Sequence, residues 1–88
     1  MVRILVPAAW ARHGRREFEA SEGPLHSVIK AFCAAYPDYR WRLLDADGEP
    51  ATYLNFYLDN EPLPRRECAT AAIPAGSTVI VCPPLTGG

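Results

Sequence analysis

The sequence predicts an α+β roll in which one mixed sheet packs on a single main helix, and three stretches of the chain carry that prediction. Val2 to Val6 reads as a β-branched strand, residues 25–36 put their apolar side chains on one helical face, and Thr78-Val79-Ile80-Val81-Cys82 is a second β-branched run. Strands near both ends with an amphipathic helix between them bury that helix most simply when it lies across one face of a sheet. The 88 residues fit one domain. A domain of this size buries roughly 60 to 65% of the surface its unfolded chain exposes, which permits a core but leaves little room for an internal active-site cavity.

Val2, Ile4 and Val6 form the inward set of the first strand, with Arg3 on the outer face. After a loop through His13-Gly14, residues 15–20 alternate charge with Phe18 and Ala20 and pair back on the first strand as a hairpin. Ser21-Glu22-Gly23-Pro24 signals a helix start, with Pro24 tolerated in the first turn because its missing N–H would have no intrahelical partner there. Leu25, Val28, Ile29, Phe32, Cys33 and Tyr36 then share one helical face. Pro37 ends or bends the helix at Tyr36. Residues 38–50 predict one short helical turn and a long loop, with Asp45-Ala46-Asp47-Gly48 as turn chemistry. Tyr53 to Leu58 reads as a central strand that a turn over Asp59-Asn60-Glu61-Pro62 ends, and Pro64, Arg65 and Arg66 imply an edge or loop. Pro74-Ala75-Gly76-Ser77 is the turn into the last strand.

Composition removes several functions. Nine Lys+Arg against ten Asp+Glu leave a net charge of -1, without the broad attraction behind non-specific nucleic-acid binding, so nucleic acid is not an expected partner. The longest apolar runs, such as residues 4–10, fall short of the roughly 20 residues a membrane-spanning helix needs. The apolar stretch at the N-terminus is too short for a signal peptide, so the expected address is cytoplasmic. Cys33, Cys68 and Cys82 are an odd number, spaced neither as a disulfide framework nor as a metal or redox motif, and are expected to be reduced. No bound metal is expected, since Asp45, Asp47 and Glu49 offer too few ligands for a calcium loop. His13 and His26 have no cysteine nearby in sequence with which to form a nucleophile–base pair. Arginine dominates the positive charge, Lys30 being the only lysine; its clusters (residues 12, 15 and 16; 40 and 42; 65 and 66) read as solvated faces or as contacts for an acidic partner.

The segment Pro83-Pro84-Leu85-Thr86-Gly87-Gly88 has no evident structural purpose. Gly87 and Gly88 add no core contact and raise the entropy cost of ordering, although two glycines at a chain tip also arise by chance. Pro83-Pro84 favours a stiff polyproline-like exit, and six residues span roughly 20 Å when extended, so the carboxylate would be held away from the domain body. A narrow channel in a partner could enclose such a tail, because glycine passes where a side chain would collide. An α-carboxylate with a pKa of about 3.3 to 3.7 is ionised at neutral pH and a poor electrophile, so another protein must activate it.

Residues 79–88, Val-Ile-Val-Cys-Pro-Pro-Leu-Thr-Gly-Gly, preceded by the turn Ala75-Gly76, resemble the end of the ubiquitin-like sulfur carriers MoaD, ThiS and CysO. Residues Leu54 to Glu61 resemble the strand and turn of the CysO branch, as does the insertion Leu43 to Gly48, and the order of elements fits over nearly the whole chain. The resemblance implies a β-grasp domain over residues 1–82 and a flexible Gly-Gly tail over 83–88. It further implies a carrier that is a protein co-substrate and not an enzyme. A ThiF/MoeB-like enzyme adenylates Gly88 with ATP, a sulfur donor converts it to a thiocarboxylate, and a recipient enzyme takes the sulfur; no cofactor stays bound. Gly87 accompanies Gly88 at the reacting end. Partners are expected to dock on an apolar patch of the open sheet face, at Pro7, Leu58 and Cys82, and along the tail at Pro84, Leu85 and Thr86. The middle of the chain favours a recipient in cysteine or specialised-metabolite biosynthesis. The Pro-Pro-x-Thr-Gly-Gly ending resembles instead the small subunit of molybdopterin synthase. A non-covalent or covalent ubiquitin-like modifier is the remaining alternative.

Overall fold

The buried Val2 and Ile4 and the exposed Arg3 realise the N-terminal alternation as strand β1 (Val2–Leu5), which pairs antiparallel with β2 (Glu17–Ala20) in the register Ile4 to Phe18. The computed structural model describes residues 1–11, 14–68 and 70–83. Beyond β1 a 3₁₀ turn, Ala8–Trp10, begins the connection, and Val6 N–H donates to the Arg16 carbonyl at 2.9 Å, prolonging the hairpin.

The helix start differs from the expectation. Gly23–Pro24 is a two-residue strand, β3, which pairs antiparallel with β6 (Ala72–Ile73), and helix α1 runs from Leu25 to Ala35. Pro24 precedes the first turn, with φ -59 and ψ 142, in extended geometry. The pairing is anchored by Leu25 N–H donating to the Ala71 carbonyl at 2.8 Å, a bond that the first turn of a helix leaves open. Leu25, Val28, Ile29, Phe32 and Cys33 are buried, as the helical spacing requires, while Tyr36 is half-buried at the helix end. Pro37 starts a 3₁₀ turn, Pro37–Tyr39, which runs into a single helical turn, α2 (Arg40–Leu43).

Strand β4 (Asn55–Leu58) starts two residues later than the sequence suggests, and the segment read as its closing turn contains a further strand, β5 (Glu61–Pro62), folded back on it. Asp59 takes a left-handed φ of 52 at this corner, and its Oδ1 accepts from Thr78 N–H at 2.9 Å. A 3₁₀ turn, Arg65–Glu67, leads toward β6. The last strand, β7 (Thr78–Cys82), lies in the middle of the five-stranded sheet, whose order is β2-β1-β7-β4-β5. It runs parallel to β1 and antiparallel to β4, so the sheet is mixed. A β-branched run suits this position, flanked on both edges by other strands.

The core lies between the sheet and α1. Ile4, Phe18, Phe56, Val79 and Val81 face it from the sheet; Leu25, Ile29 and Phe32 face it from the helix; Leu43 closes one end. Phe18, Phe32, Tyr36 and Tyr39 form a ring cluster with centroids 4.7 to 5.4 Å apart.

Candidate functional site: the open sheet face and the root of the tail

Alternation across the sheet decides what the solvent side presents. With Val79 and Val81 inward, Thr78, Ile80 and Cys82 point the other way, and the pairings Leu5 to Ile80, Ile80 to Tyr57 and Tyr57 to Pro62 align one apolar row across four strands. Leu5 and Ile80 are half-buried, and Tyr57 is exposed. Arg3 and Glu17, both exposed, meet at one end of the row with Nη1 3.9 Å from Oε2. That pair contributes little energy but marks where the apolar surface stops.

Of the expected docking residues, Pro7 and Cys82 are half-buried and lie at the parity of this open face, Cys82 opposite Asn55. Leu58 does not share it. Its partner is the fully buried Val79, and it packs against the core from the helix side. The reason is parity: Tyr57 and Leu58 are neighbours on a strand, so only one of them can face solvent, and the register gives that place to Tyr57. Leu5, Tyr57 and Ile80 are thus the apolar residues the sequence reading missed. Their signal lay in the even-inward pattern of β1, whereas the all-apolar β7 and aromatic β4 carry no alternation of their own. Pro84, Leu85, Thr86, Gly87 and Gly88 lie outside the described residues, as does His13.

Strand β7 delivers Cys82 and then Pro83 to the edge of this face, and the remaining tail residues follow from there. Cys82, half-buried, has its thiol pushed above the ordinary range by burial. Cys33, buried on α1, is pushed up to about 11 by burial, which outweighs the lowering effect of the Arg40 charge. Both thiols therefore stay protonated at neutral pH and are weak nucleophiles. Among the described residues no disulfide joins Cys33, Cys68 or Cys82. His26 and Cys68 line one hollow of about 220 Å³, with Cys68 Sγ donating to the Pro64 carbonyl at 3.4 Å. Among the described residues no group of three or more His, Cys, Asp or Glu could hold a metal ion, and no helix is long and apolar enough to cross a membrane.

The Cys33 shift gives a stability prediction. Its folded pKa of about 11 exceeds the 9.0 of an unburied thiol, so between those values the unfolded chain has lost a proton that the folded chain keeps. The contribution of Cys33 to stability is constant below about pH 9 and falls as pH rises toward 11. Urea midpoints measured from pH 8 to 11 should fall more steeply in the wild type than in Cys33→Ala, which removes that titration.

No protein-family model and no curated protein matches the chain. Solved structures do. CysO in the BexX/CysO complex of Amycolatopsis orientalis superposes with a TM-score of 0.80 at 20% identity, covering 100% of both chains. CysO of Mycobacterium tuberculosis gives 0.74 at 28% identity, covering 97% of this chain and 100% of its own. The fold is the ubiquitin-like β-grasp. Small archaeal modifier protein 1 of Haloferax volcanii extends the set, at a TM-score of 0.75 and 22% identity over 99% of this chain and 98% of the other. These neighbours bear out the resemblance to MoaD-, ThiS- and CysO-type proteins read from the sequence, and they are small carriers and modifiers rather than enzymes.

Proposed function

We propose that this β-grasp chain is a sulfur carrier whose Gly88 carboxyl is adenylated by an ATP-dependent enzyme of the ThiF/MoeB kind and converted to a thiocarboxylate that a recipient biosynthetic enzyme consumes. The observation that carries the reading is the conjunction of a CysO-like fold with Thr86-Gly87-Gly88 following its central strand by way of Pro83-Pro84. The carboxylate attacks the α-phosphorus of ATP and pyrophosphate leaves, so that AMP becomes the leaving group. Hydrosulfide-level sulfur from the donor then attacks the carbonyl and AMP departs, with no change of oxidation state. The resulting sulfur is a soft nucleophile tethered to a protein handle. The carrier supplies the end group and a docking face, and its partners supply catalysis. The raised pKa of the Cys82 thiol fits that division, because a thiolate near the tail root would compete for the activated carbonyl.

The M. tuberculosis CysO neighbour, at 28% identity, supports the CysO-like branch and so a recipient in cysteine or specialised-metabolite biosynthesis. The CysO neighbour held in complex with BexX supports a lasting contact between carrier and a second protein. The small archaeal modifier neighbours favour a second reading, attachment of Gly88 to a lysine of another protein. Intact mass after incubation with ATP, an activating enzyme and a sulfur donor separates them: a carrier gains about 16 mass units as sulfur replaces oxygen. Isopeptide adducts without that gain would establish the modifier reading instead.

The apolar row on the open face is the surface this activation would use. Replacing the exposed Tyr57 by Asp puts a charge at its centre without opening the core. The expected result is a fall of about tenfold or more in kcat/KM for adenylation, with the thermal midpoint nearly unchanged.

A further inference from the structure

The helix side of the molecule carries a surface that the tail chemistry does not use. Trp41, on α2, is 90% exposed, far more than any other large apolar side chain among the described residues. Arg40 and Arg42 flank it, each about 100° around the helical turn. Arg42 stacks its guanidinium 5.3 Å from the Trp10 ring centroid, which fixes that side chain over Trp10 instead of leaving it to sweep through solvent. A groove of about 420 Å³ opens next to them, lined by Pro37, Arg40, Trp41, Leu44, Asp45 and Gly48, and past Pro37 and Arg40 a second hollow continues toward Lys30.

The acidic groups around this groove are mostly committed. Asp45 Oδ1 accepts from the backbone N–H of Asp47 at 2.9 Å and of Glu49 at 3.1 Å, and Glu49 Oε2 takes Lys30 Nζ at 2.6 Å. Neither Arg40 nor Arg42 forms an ion pair with any carboxylate among the described residues, in a chain with ten acids. Two unpaired guanidiniums bracketing an exposed indole offer what anchors an acidic ligand: an apolar platform and fork-shaped donors that match carboxylates.

We propose that this helix-side groove receives an acidic polypeptide segment of a partner protein, one apolar residue of the segment lying against Trp41 and its carboxylates pairing with Arg40 and Arg42. The groove lies across the core from the open sheet face, so the chain can be held there while its tail and sheet face engage another protein. The proposal stands apart from the sulfur-carrier reading, since no step of it involves Gly88.

The test is selection of random twelve-residue displayed peptides on the full-length chain, with depletion on Trp41→Ser. Enriched peptides should carry Asp or Glu within three residues of an apolar side chain. A synthetic copy of one should perturb backbone amide resonances of residues 37–48 in the wild-type chain and not those of β7. By calorimetry its affinity should fall at least about tenfold in Trp41→Ser and in the double variant Arg40→Glu, Arg42→Glu. A peptide with its acids changed to Lys should bind that double variant better than the wild type. These positions are exposed, and the resonance mapping on the wild type decides the matter even if a variant proves unstable. Enriched peptides without acids, no enrichment, perturbations on β7, or affinities indifferent to the substitutions would overturn the proposal. So would a concentration-dependent dimer abolished by Trp41→Ser, which would make a second copy the occupant.

Discussion

Removal of Gly87 and Gly88 is expected to reduce thiocarboxylate formation to background while leaving the unfolding midpoint where it was. Among the described residues the buried core runs from Val2 to Val81, and these residues, which hold the sheet on α1, all remain in the truncated chain. Its effect falls on the chemistry, because the carboxyl would then belong to Thr86, whose branched side chain cannot enter a passage that admits only backbone. A single residue added after Gly88 tests the same point from the other side. It moves the carboxylate outward by about 3.5 Å, and displacements of about 1 Å at a reacting centre already cost on the order of a hundredfold. Both variants should therefore lose at least about a hundredfold in adenylation, read as pyrophosphate release and as the absence of the mass gain. A chain that serves only as a docking module would keep its partner affinity in both variants, and full activity of either would remove Gly88 from the mechanism.

How far residues reveal structure depended on whether the pattern was local. The positions of β1, α1 and β7 were legible because Val2, Ile4 and Val6 and the Leu25 to Cys33 face satisfy their own periodicity, and Thr78 to Cys82 is a β-branched run entered from a turn. The two-residue strands β3, β5 and β6 were not, because each owes its existence to a partner distant in sequence or to a corner. Glu61–Pro62 counts as a strand only because Asp59 adopts a left-handed conformation that turns the chain back on Tyr57 and Leu58. Gly23–Pro24 reads locally as a helix start, and the pairing with Ala72–Ile73 imposes extended geometry. The docking face shows the same limit. Leu58 and Tyr57 are both large and apolar, and which of them meets solvent is fixed by the register against Val79 and Ile80, a fact about β7 that β4 does not encode. The groove beside Trp41 was visible only as an arginine pair, because the packing of Arg42 on Trp10 joins residues far apart in the chain.

The largest expected loss of stability comes from Phe32→Ala. Phe32 is 1% exposed at the middle of α1 and is ringed by Phe18 at 5.2 Å, Tyr36 at 5.3 Å and Tyr39 at 5.3 Å, centroid to centroid. Phe18 comes from β2, Tyr39 from the 3₁₀ turn that follows the helix and Tyr36 from the helix end itself, so one side chain ties two separate elements to α1. Truncation removes about 3 to 5 kcal/mol of transfer and cavity energy. At roughly 0.05 to 0.15 kcal/mol per residue, a chain this small holds about 4 to 13 kcal/mol in total, so the loss is a large part of the whole. The thermal midpoint should fall by about 15 to 30 °C. Phe32→Leu, which keeps most of the volume but not the ring contacts, should lose no more than about half as much. Tyr36→Ala should also fall short of Phe32→Ala, since Tyr36 is only half-buried and ends the helix instead of centring the cluster. Scanning calorimetry of the three variants checks the order. If Tyr36→Ala proved the most damaging, the stabilising centre would lie at the helix end, where Arg15 stacks 5.5 Å over the Tyr36 ring, and not within the sheet–helix core.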